Sequence, residues 1–426
     1  MYVGFVSFFV LAFGCLWGLI IAVVQPMKHS VKRWLDSAQI RHSVVHEFSD
    51  ISASPIIAIY GTGTSIEPEA LLHLLATPMT DSGISTGHIT PRVPRLLTHA
   101  STIPVVHLHE DIWNTQGDIV RSRLLAKLGR YADGGRHFAR KTYVRRIHAL
   151  DCMAFLEKHH LWGATKAKHN YGLFVSGTQY TGSTGSNRDL VAQEGLLAVA
   201  SFSPRRHVMR SGTKFRSHEL IRYCARRDGT VVGGISKLIA AFAKDYNPDD
   251  IITTIDRDFG SAEGWKSLGF EVVQQHPPRA MAVSLDGTRH ALFGSGLIDP
   301  DLISRTNVCR TGAGSSLGGQ PAGNKSANRW HLPAQVREAL SLISSAREAR
   351  TYLSVHGYAC VYDCGVTRLM KTLPGAQALQ QLSANSSRDP VALWKESVPT
   401  FPLEYYCENS GIRALLREAA DSASSM

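Results

Sequence analysis

The stretch ELIRYCARRDGTVVGGISKLIAAFAKDYNPDDIITTID, residues 219–256, decides the fold of the central part of the chain. Its first part, residues 219–225, has the length and residue content of a strand, and a paired-glycine turn follows it. Residues 235–246 then carry apolar side chains at helical spacing. DIITTID, residues 250–256, is a second strand. The stretch therefore predicts a strand, a tight turn, a helix and a further strand in succession.

The same kind of pattern continues on both sides of this stretch. A helix is predicted from Asp151, as its N-cap, through Lys158, and a short helix is predicted around Trp265 to Leu268. Further strands are predicted at VRRI (144–147), YGLFV (171–175), LLAVASF (196–202) and FEVVQQ (270–275). The resulting order of strands and helices predicts an α/β fold with a mixed sheet flanked by helices.

The outer parts of the chain are less regular. PIIAIY (55–60) and PVVHL (104–108) read as strands, and IVRSRLLAKL (119–128) reads as an amphipathic helix whose basic face we expect to be solvated. Residues 311–328 are of low complexity and predict a flexible insertion. Residues 332–357 predict one amphipathic helix, residues 358–365 predict a strand, and the last ten residues predict disorder.

The glycine turn is the best physical signal for chemistry. Gly233 and Gly234 let the backbone approach a ligand closely, and the first helical turn presents amide groups and a favourable dipole to an anion. Ser236 and Lys237 add a hydroxyl and a cation, and Val232 precedes the turn. A pyrophosphate, as in a nucleotide or coenzyme A, fits such a site. The alternative is that the turn is only a tight connection.

Several runs, in order, resemble a domain found in phage homing-endonuclease proteins and the DNA-modifying Mom-type members of the GNAT superfamily. The central runs are ELIRY (219–223), VVGGISKL (231–238), IITTIDRD (251–258) and GWKSLGF (264–270). FARK (138–141), FLEKHHLWG (155–163) and NYGLF (170–174) precede them, and GYACVYDCG (357–365) follows. The resemblance implies a GNAT-like sheet splayed around acetyl-CoA or another acyl-CoA, with the residues of the glycine turn at the pyrophosphate.

The resemblance also implies roles for polar residues near the sheet. Asp256 is the candidate general base or substrate-orienting group, at the carboxyl end of a strand, and a turn-stabilising Asp-Arg pair is the alternative. The candidate substrate-binding residues are His160, Arg222, Arg257 and Asp258. Glu219 is a further candidate catalytic residue. A strand-edge ion pair explains Glu219 and Arg222 equally well, and helix capping explains His160.

One position departs from the family. Trp265 stands where a tyrosine is common, and in many GNAT enzymes that tyrosine can protonate the departing thiolate. An indole N–H cannot act as an acid at usable pH. Either Tyr223 or Ser236 takes this role, or the domain only binds.

A second departure lies upstream. HLHEDIW (107–113) and IVRSRLLAKLG (119–129) resemble the tail of a Vsr-like nuclease domain, which needs clustered carboxylates to hold a divalent metal. IIAIYGTGTS (56–65) contains no acid where the family shows acidic residues, and Glu110 and Asp111 alone would not build a two-metal site. We therefore expect a degenerate nuclease-like α/β domain with neither nuclease activity nor a bound metal.

Charge and cysteine content give weaker indications. The chain has 426 residues and a formal net charge of +11, which favours a polyanionic partner such as nucleic acid. Its seven cysteines are scattered and odd in number, which is typical of free thiols in a reducing compartment rather than of a zinc site.

The N-terminus allows two interpretations. Tyr2 to Val24 carries no charged residue and is long enough to cross a bilayer, and the cations that follow would keep the bulk of the chain on the cytosolic or matrix side. A chain that starts at Met27 would instead begin with a segment similar to a mitochondrial presequence. We therefore predict a membrane anchor, with mitochondrial targeting as the alternative.

These patterns divide the chain into seven segments. They are an anchor or targeting segment (1–26), a basic linker (27–52), a degenerate nuclease-like domain (53–135), a GNAT-like domain (136–300), a flexible insertion (301–333), a helix and strand that complete the domain (334–372), and a partly disordered extension (373–426). The leading hypothesis is an N-acyltransferase that acts on or near nucleic acid. A non-catalytic nucleic-acid-binding or scaffold protein is the alternative, and the oligomeric state is left open.

Overall fold

The structure is a computed structural model that describes most of the chain outside its termini and a few loops. The described residues are 27–49, 52, 54–61, 66–80, 83–84, 97–98, 101–130, 135–176, 195–210, 212–260, 262–292, 332–373, 376, 378, 380–381, 414–418 and 421. The predicted anchor, the insertion at 311–328 and the last ten residues lie outside them, apart from 421, which is helical. Among the described residues, no helix is long and apolar enough to cross a bilayer.

The N-terminal part contains a four-stranded mixed sheet. Helix α1 covers residues 27–37. The sheet has the order β1 (His42–Val45), β2 (Ile56–Tyr60), β3 (Pro68–Leu75), β6 (Val105–His109), in which β3 and β6 run parallel. Two short strands, β4 (Met79–Thr80) and β5 (Gly83–Ile84), pair with each other. Helices α2 (Glu110–Thr115) and α3 (Gly117–Lys127) follow β6, and the apolar faces of α1 and α3 pack on the sheet.

A larger mixed sheet forms the centre of the molecule. Its strands are β8 (Thr142–Arg146), β9 (His169–Val175), β10 (Leu196–Phe202), β11 (Arg206–Arg210), β12 (Thr213–Ala225), β14 (Asp250–Asp256), β15 (Glu271–Gln275) and β19 (Val366–Thr372). The order is β15-β19-β14-β12-β10-β9-β8, with β11 beside β12. β12 and β14 are parallel, and the other neighbours are antiparallel.

Helices cover both faces of this sheet. Helix α5 (Gly234–Tyr246) packs Leu238 and Phe242 on one face, and the short helix α6 (Glu263–Lys266) lies on the same side. Helix α4 (Ala149–His159) packs Phe155 and Leu156 on the other face. We call these the α5 face and the α4 face. The predicted α/β fold with a mixed sheet between helices is confirmed.

A third, smaller sheet carries the helices near the C-terminus. It has the order β17 (Arg289–Ala291), β16 (Ala280–Ser284), β18 (Tyr358–Tyr362), and its apolar face packs against α7 (Ala334–Leu340) and α8 (Ala346–Val355). The single helix predicted over 332–357 is therefore wrong. Ser345 caps α8 by accepting a hydrogen bond from the Glu348 amide at 3.1 Å, and this starts a new helix after a break.

Two local predictions also need correction. Asp151 is not an N-cap, because α4 begins at Ala149 and its N-cap is His148, which makes no side-chain cap. The short helix predicted at 265–268 begins earlier, at Glu263. Both errors concern helix ends, where residues one turn apart carry similar capping signals.

Candidate active site

The parallel strands β12 and β14 separate part-way along their length. Their pairing runs from Ser217 opposite Asp250 to Leu220 opposite Thr253 and stops there, although β12 continues to Ala225 and β14 to Asp256. Thr254 is exposed although it lies in the middle of the sheet. The backbone edges beyond Leu220 and Thr253 therefore border a gap that opens towards the carboxyl ends of both strands.

An irregularity in the neighbouring pair contributes to the gap. On β10, Ser201 lies opposite Arg222, but the next residue, Phe202, lies opposite Leu220. Ile221 is therefore an extra residue in β12, as in a β-bulge, and such an insertion bends a strand and increases its twist. The bend begins at the residue where the pairing of β12 with β14 ends.

The glycine turn lies at the start of α5, beyond the end of β12. Gly233 is exposed, has φ of 75° and ψ of 4°, and forms the N-cap with no side-chain cap hydrogen bond. Gly234 is buried, and a Cβ there would lie 3.1 Å from the Cβ of Val231. Val232 and Ser236 are exposed on either side of the turn. Among the described residues, no side chain is seen to accept a hydrogen bond from an amide of the first turn, which leaves these amides available to an anion.

Lys237 was predicted to bind a phosphate, but its ammonium group binds backbone carbonyls. Its ammonium donates to the carbonyl oxygen of Ala139 at 2.8 Å and, in a shorter contact, to that of Thr142. These carbonyls belong to the short 3-10 helix Ala139–Lys141 and the start of β8. Lys237 therefore fastens α5 to the neighbouring segment, and its role as a ligand stays a prediction.

Side chains from distant motifs meet at Asp256. One carboxylate oxygen accepts a hydrogen bond from the indole nitrogen of Trp162 at 3.2 Å, and the other accepts one from the Asp258 amide at 2.9 Å. Burial, reinforced by the negative charge of Asp258, raises the pKa of Asp256 to about 6. A carboxyl with such a pKa is matched to proton transfer near neutral pH.

Asp258 has a different environment. One of its oxygens lies 3.3 Å from Nε2 of His109, and the other accepts a hydrogen bond from the Cys364 amide at 2.8 Å. Burial alone would raise the pKa of Asp258, but the interaction with His109 outweighs it and the pKa is lowered. The amide of Arg257 donates to the carbonyl of Gly365 at 3.1 Å. These contacts join three separate sequence runs, and the substrate-binding roles of Arg257 and Asp258 stay predictions.

Glu219 and Arg222 both lie on the α4 face. Glu219 is buried, and its carboxylate lies 3.7 Å from the guanidinium of Arg206. Arg222 donates from one terminal nitrogen to the carbonyl of Ile221 at 2.9 Å, whereas its buried Nε has no hydrogen-bond partner among the described residues. Glu219 therefore pairs with Arg206, a contact that sequence reasoning missed, and its charge also acts on Arg222.

His160 follows the last residue of α4 and approaches the same face. Its Nδ1 accepts a hydrogen bond from the Trp162 amide at 3.1 Å, a contact with the chain after the helix and not with a free carbonyl of its last turn, so its side chain does not cap the helix in this way. Burial lowers the pKa of His160, and the positive charges of Arg222 and Arg123 lower it further. His160 is therefore neutral near pH 7, and because Nδ1 accepts, its proton is on Nε2.

Tyr223 lies on the opposite, α5 face, where it packs against the core. Burial raises the pKa of its phenol, so the group keeps its proton. Trp265 packs its ring edge-to-face with Phe270, at 5.2 Å between ring centroids. The gap is thus bordered by Asp256 on one face of the sheet and by Tyr223 on the other.

Several residues around the gap were not predicted from the sequence. Arg279 stacks over the ring of Trp162 at 5.0 Å and pairs with Asp363, and the guanidinium of Arg123 lies over the ring of Phe259 at 4.3 Å. Arg123 belongs to the helix whose basic face was expected to be solvated, and for this residue that expectation is wrong. Trp162, Asp363 and Arg123 lie in runs that the resemblances had singled out, but none of them was assigned a role, and Arg279 and Phe259 lie outside those runs. The described residues contain no group of three or more His, Cys, Asp or Glu side chains suited to a metal ion.

Comparison with known proteins gives little further information. No protein family and no curated protein matches the chain. Among solved structures, a conserved protein of unknown function from Enterococcus faecalis V583, described as a probable N-acyltransferase, is 11% identical to this chain, with a TM-score of 0.23. The match covers 34% of this chain and 35% of that one, so it spans about a third of each. A TM-score this low does not establish a shared fold, and the strand order remains the basis for the assignment to mixed α/β proteins.

Proposed function

We propose that the chain is a GNAT-type N-acyltransferase that binds acetyl-CoA or another acyl-CoA in the gap between β12 and β14. The observation that carries the proposal is the separation of these parallel strands beyond Leu220 and Thr253, with an uncapped helix start next to it. A splayed sheet with a glycine turn at the pyrophosphate is what the resemblance of the sequence implies. The fold and the motifs therefore support the same class of protein.

The residues around the turn fit a diphosphate. Gly233 adopts the left-handed conformation that glycine accommodates without strain, and the amides of the following turn carry the positive end of the helix dipole. Arg140, which is exposed, follows Ala139, whose Cβ would lie 3.5 Å from a Cβ at position 233. A cation next to the turn adds to its attraction for phosphate. Arg140 is therefore a candidate ligand that the sequence prediction did not include.

The residues bordering the gap can divide the catalytic roles between the two faces of the sheet. A bound acyl-CoA would supply an electrophilic thioester carbonyl. On the α4 face, Asp256 accepts a proton from the acceptor amine when the pH exceeds its pKa of about 6. On the α5 face, burial raises the pKa of Tyr223, so its phenol stays protonated and can donate a hydrogen bond to the sulfur of the departing thiolate as the C–S bond breaks. The thiolate then takes its proton from solvent, so Tyr223 stabilises the leaving group without being deprotonated.

Titration of the full-length chain with acetyl-CoA in a calorimeter tests the proposal. Gly233→Asp places a negative charge at the helix start and should weaken binding at least about tenfold. Gly212→Asp is the matched control, because Gly212 has nearly the same φ, 78°, and nothing within 4 Å of an added Cβ. The proposal fails if the wild-type chain does not bind acetyl-CoA, or if the two variants bind it equally well.

A second function, binding of nucleic acid, is favoured by an exposed basic segment. The segment from β7 (Gly135–Phe138) to β8 carries the exposed residues Arg136, Arg140, Lys141 and Arg145, and Phe138 is exposed among them. Cations that neutralise phosphates give an affinity that falls steeply with salt. Replacing Arg140 and Lys141 together by Ala should reduce the slope of log affinity against log salt by about 2 for a DNA duplex. An unchanged slope would contradict this function.

A further inference from the structure

The α4 face of the central sheet carries buried polar atoms that have no hydrogen-bond partner within the described part of the chain. The hydroxyl of Ser201 is fully buried and makes no hydrogen bond to any described residue. The Nε of Arg222 and the Oε1 of Gln274 are also buried and make no hydrogen bond to any described residue. Buried polar atoms without a partner are rare in folded proteins, because each costs the loss of its hydration. Their occurrence on one face calls for a common cause.

Strand pairing brings these groups together. Ser201 on β10 lies directly opposite Arg222 on β12, and Gln274 on β15 lies opposite Arg368 on β19. The paired residues share a face with Thr254 and Asp256 on β14, since Thr254 lies opposite Arg368. The exposed Thr254 lies between the two pairs. The unpaired atoms therefore surround the gap on its α4 side.

Two guanidinium groups border the same space and make no hydrogen bond to a carboxylate of any described residue, although the charge of Glu219 acts on Arg222 and that of Asp256 on Arg123. Arg222 donates only to a backbone carbonyl, and Arg123 makes no hydrogen bond to any described residue while it lies over the Phe259 ring. The positive charges of both act on one imidazole, that of His160. Glu219, the acid nearest to Arg222 in sequence, is paired with Arg206. The groups facing this space are thus mainly donors and cations.

Each side chain that faces this space offers specific hydrogen-bond donors. Arg222 offers its Nε–H, Ser201 its hydroxyl, and His160 its Nε2–H, because its Nδ1 already accepts from Trp162. Arg123 adds the N–H groups of its guanidinium. The carboxylate of Asp256, at the edge of the gap, is the acceptor group near these donors. Such a set complements an anionic group held near an amine, since the cations bind the anion and Asp256 faces the amine.

We propose that Arg222, Ser201, His160 and Arg123 form a binding site for the anionic group, phosphate or carboxylate, of the acceptor substrate. The existence of the anion site does not depend on the proposed acyltransferase function. Only the assignment of this anion to the acceptor substrate rests on that function. The site is separate from the glycine turn, which would hold the phosphates of the cofactor. The acceptor is therefore an amine that carries its own negative charge.

Calorimetric titrations with inorganic phosphate and with acetate, at constant ionic strength, test the site on the full-length chain. Arg222→Gln or Arg123→Gln should weaken binding of the preferred anion about tenfold, because each removes a charge-assisted hydrogen bond. Arg347→Gln, which removes an exposed arginine on α8, should change it less than about twofold. The anion that binds more tightly shows whether the acceptor carries a phosphate or a carboxylate. If neither anion binds, or if Arg222→Gln binds as the wild type does, the inference is overturned.

Two further measurements separate this site from the cofactor site and from a structural role. Gly233→Asp should weaken the binding of acetyl-CoA and leave the anion binding that depends on Arg222 intact. Arg222→Gln should weaken anion binding and leave the binding of acetyl-CoA intact. Failure of acetyl-CoA to bind, with anion binding as expected, would remove the proposed function and keep the site. The melting temperature of unliganded Arg222→Gln should fall by at most about 4 °C, because the variant loses only the charge interaction with Glu219, which keeps its pair with Arg206. A large fall would show a structural partner and overturn the inference.

Discussion

At the scale of single residues, Asp256 and Asp258 lie two positions apart in the sequence, but their surroundings in the fold shift their pKa values in opposite directions. Asp256 borders the gap and has a pKa raised by burial, whereas Asp258 lies beside His109 and has a lowered pKa. A raised pKa means that folding favours the protonated acid, and a lowered pKa means that it favours the carboxylate. The first arrangement suits a base, and the second suits a structural anchor.

The pKa of Asp256 predicts the pH dependence of stability. Because its pKa in the folded chain, about 6, exceeds the ordinary value of 3.8, its stabilising contribution is present at low pH and is lost as the pH rises through 6. The free energy of unfolding of the wild type, relative to Asp256→Asn, should therefore fall by about 1–3 kcal/mol between pH 4 and pH 8. Urea unfolding at both pH values measures this difference.

Asp245→Asn is the control for this measurement. Hydrogen bonds from Tyr171 and Arg146 lower the pKa of Asp245, so its contribution is lost as the pH falls, with the opposite sign. Equal pH dependence of the two variants would contradict the environment described for Asp256.

The buried pair of Asp111 and Arg289 gives a second prediction. Both oxygens of Asp111 accept hydrogen bonds from Arg289 at 2.7 Å, and both side chains are buried. Asp111→Asn leaves a buried guanidinium without its counter-charge and should lower the free energy of unfolding by about 3–5 kcal/mol. Glu263→Gln, which breaks the exposed pair with Lys266, should cost at most about 1 kcal/mol. Chemical denaturation of the two variants compares them, and similar losses would contradict the prediction.

At the scale of elements, the turn before β19 depends on one glycine. Gly365 has φ of +81°, and a Cβ there would lie 2.4 Å from the carbonyl oxygen of His276 and 2.5 Å from that of Pro277. These oxygens belong to the backbone, so they cannot move aside as a flexible side chain does. The run GYACVYDCG, singled out in the sequence only by resemblance, therefore has a packing reason for its last glycine.

Gly365→Ala should destabilise the chain more than Gly357→Ala does. Gly357 has nearly the same φ, +82°, but the nearest atom to an added Cβ is a Leu285 carbon at 3.8 Å. Gly357→Ala should therefore cost only the backbone strain of about 1–2 kcal/mol, and Gly365→Ala should exceed this by several kcal/mol. Thermal unfolding of both variants provides the comparison, and equal costs would show that the backbone at 276–277 relaxes.

The elements also show where sequence reasoning succeeds. β10 and β14 were predicted with their observed bounds, because short runs rich in apolar and β-branched residues between polar turns have few alternative structures. β19 was not predicted, since VTRLMKT shows neither an apolar run nor a strict alternation of polar and apolar residues. The break between α7 and α8 was also missed, although Ser345 and Glu348 form a recognisable capping pair.

At the scale of the whole molecule, the predicted boundary near residue 135 is crossed by buried contacts. His107 donates its amide to the carbonyl of Asp258 at 2.8 Å, and Asp111 pairs with Arg289. These contacts connect the N-terminal sheet to the elements around the gap. No periodicity or motif in the sequence indicates a contact between residues so far apart, so this part of the candidate site could not be predicted.

These contacts predict that the two predicted domains unfold together. Scanning calorimetry of the full-length chain should show one transition for them, and Asp111→Asn should shift that transition as a whole. Two separate transitions, of which only one responds to Asp111→Asn, would contradict the prediction.

The position of β19 has a consequence for synthesis of the chain. Residues 366–372 insert between β14 and β15, so both of these strands have an open edge until the ribosome has released the polypeptide as far as residue 372. Unpaired edges on a nascent sheet are sites of misassociation, and closing them requires contacts between residues far apart in sequence, which form slowly. Chains terminated before residue 366 would therefore expose two unpaired strand edges and be prone to aggregate.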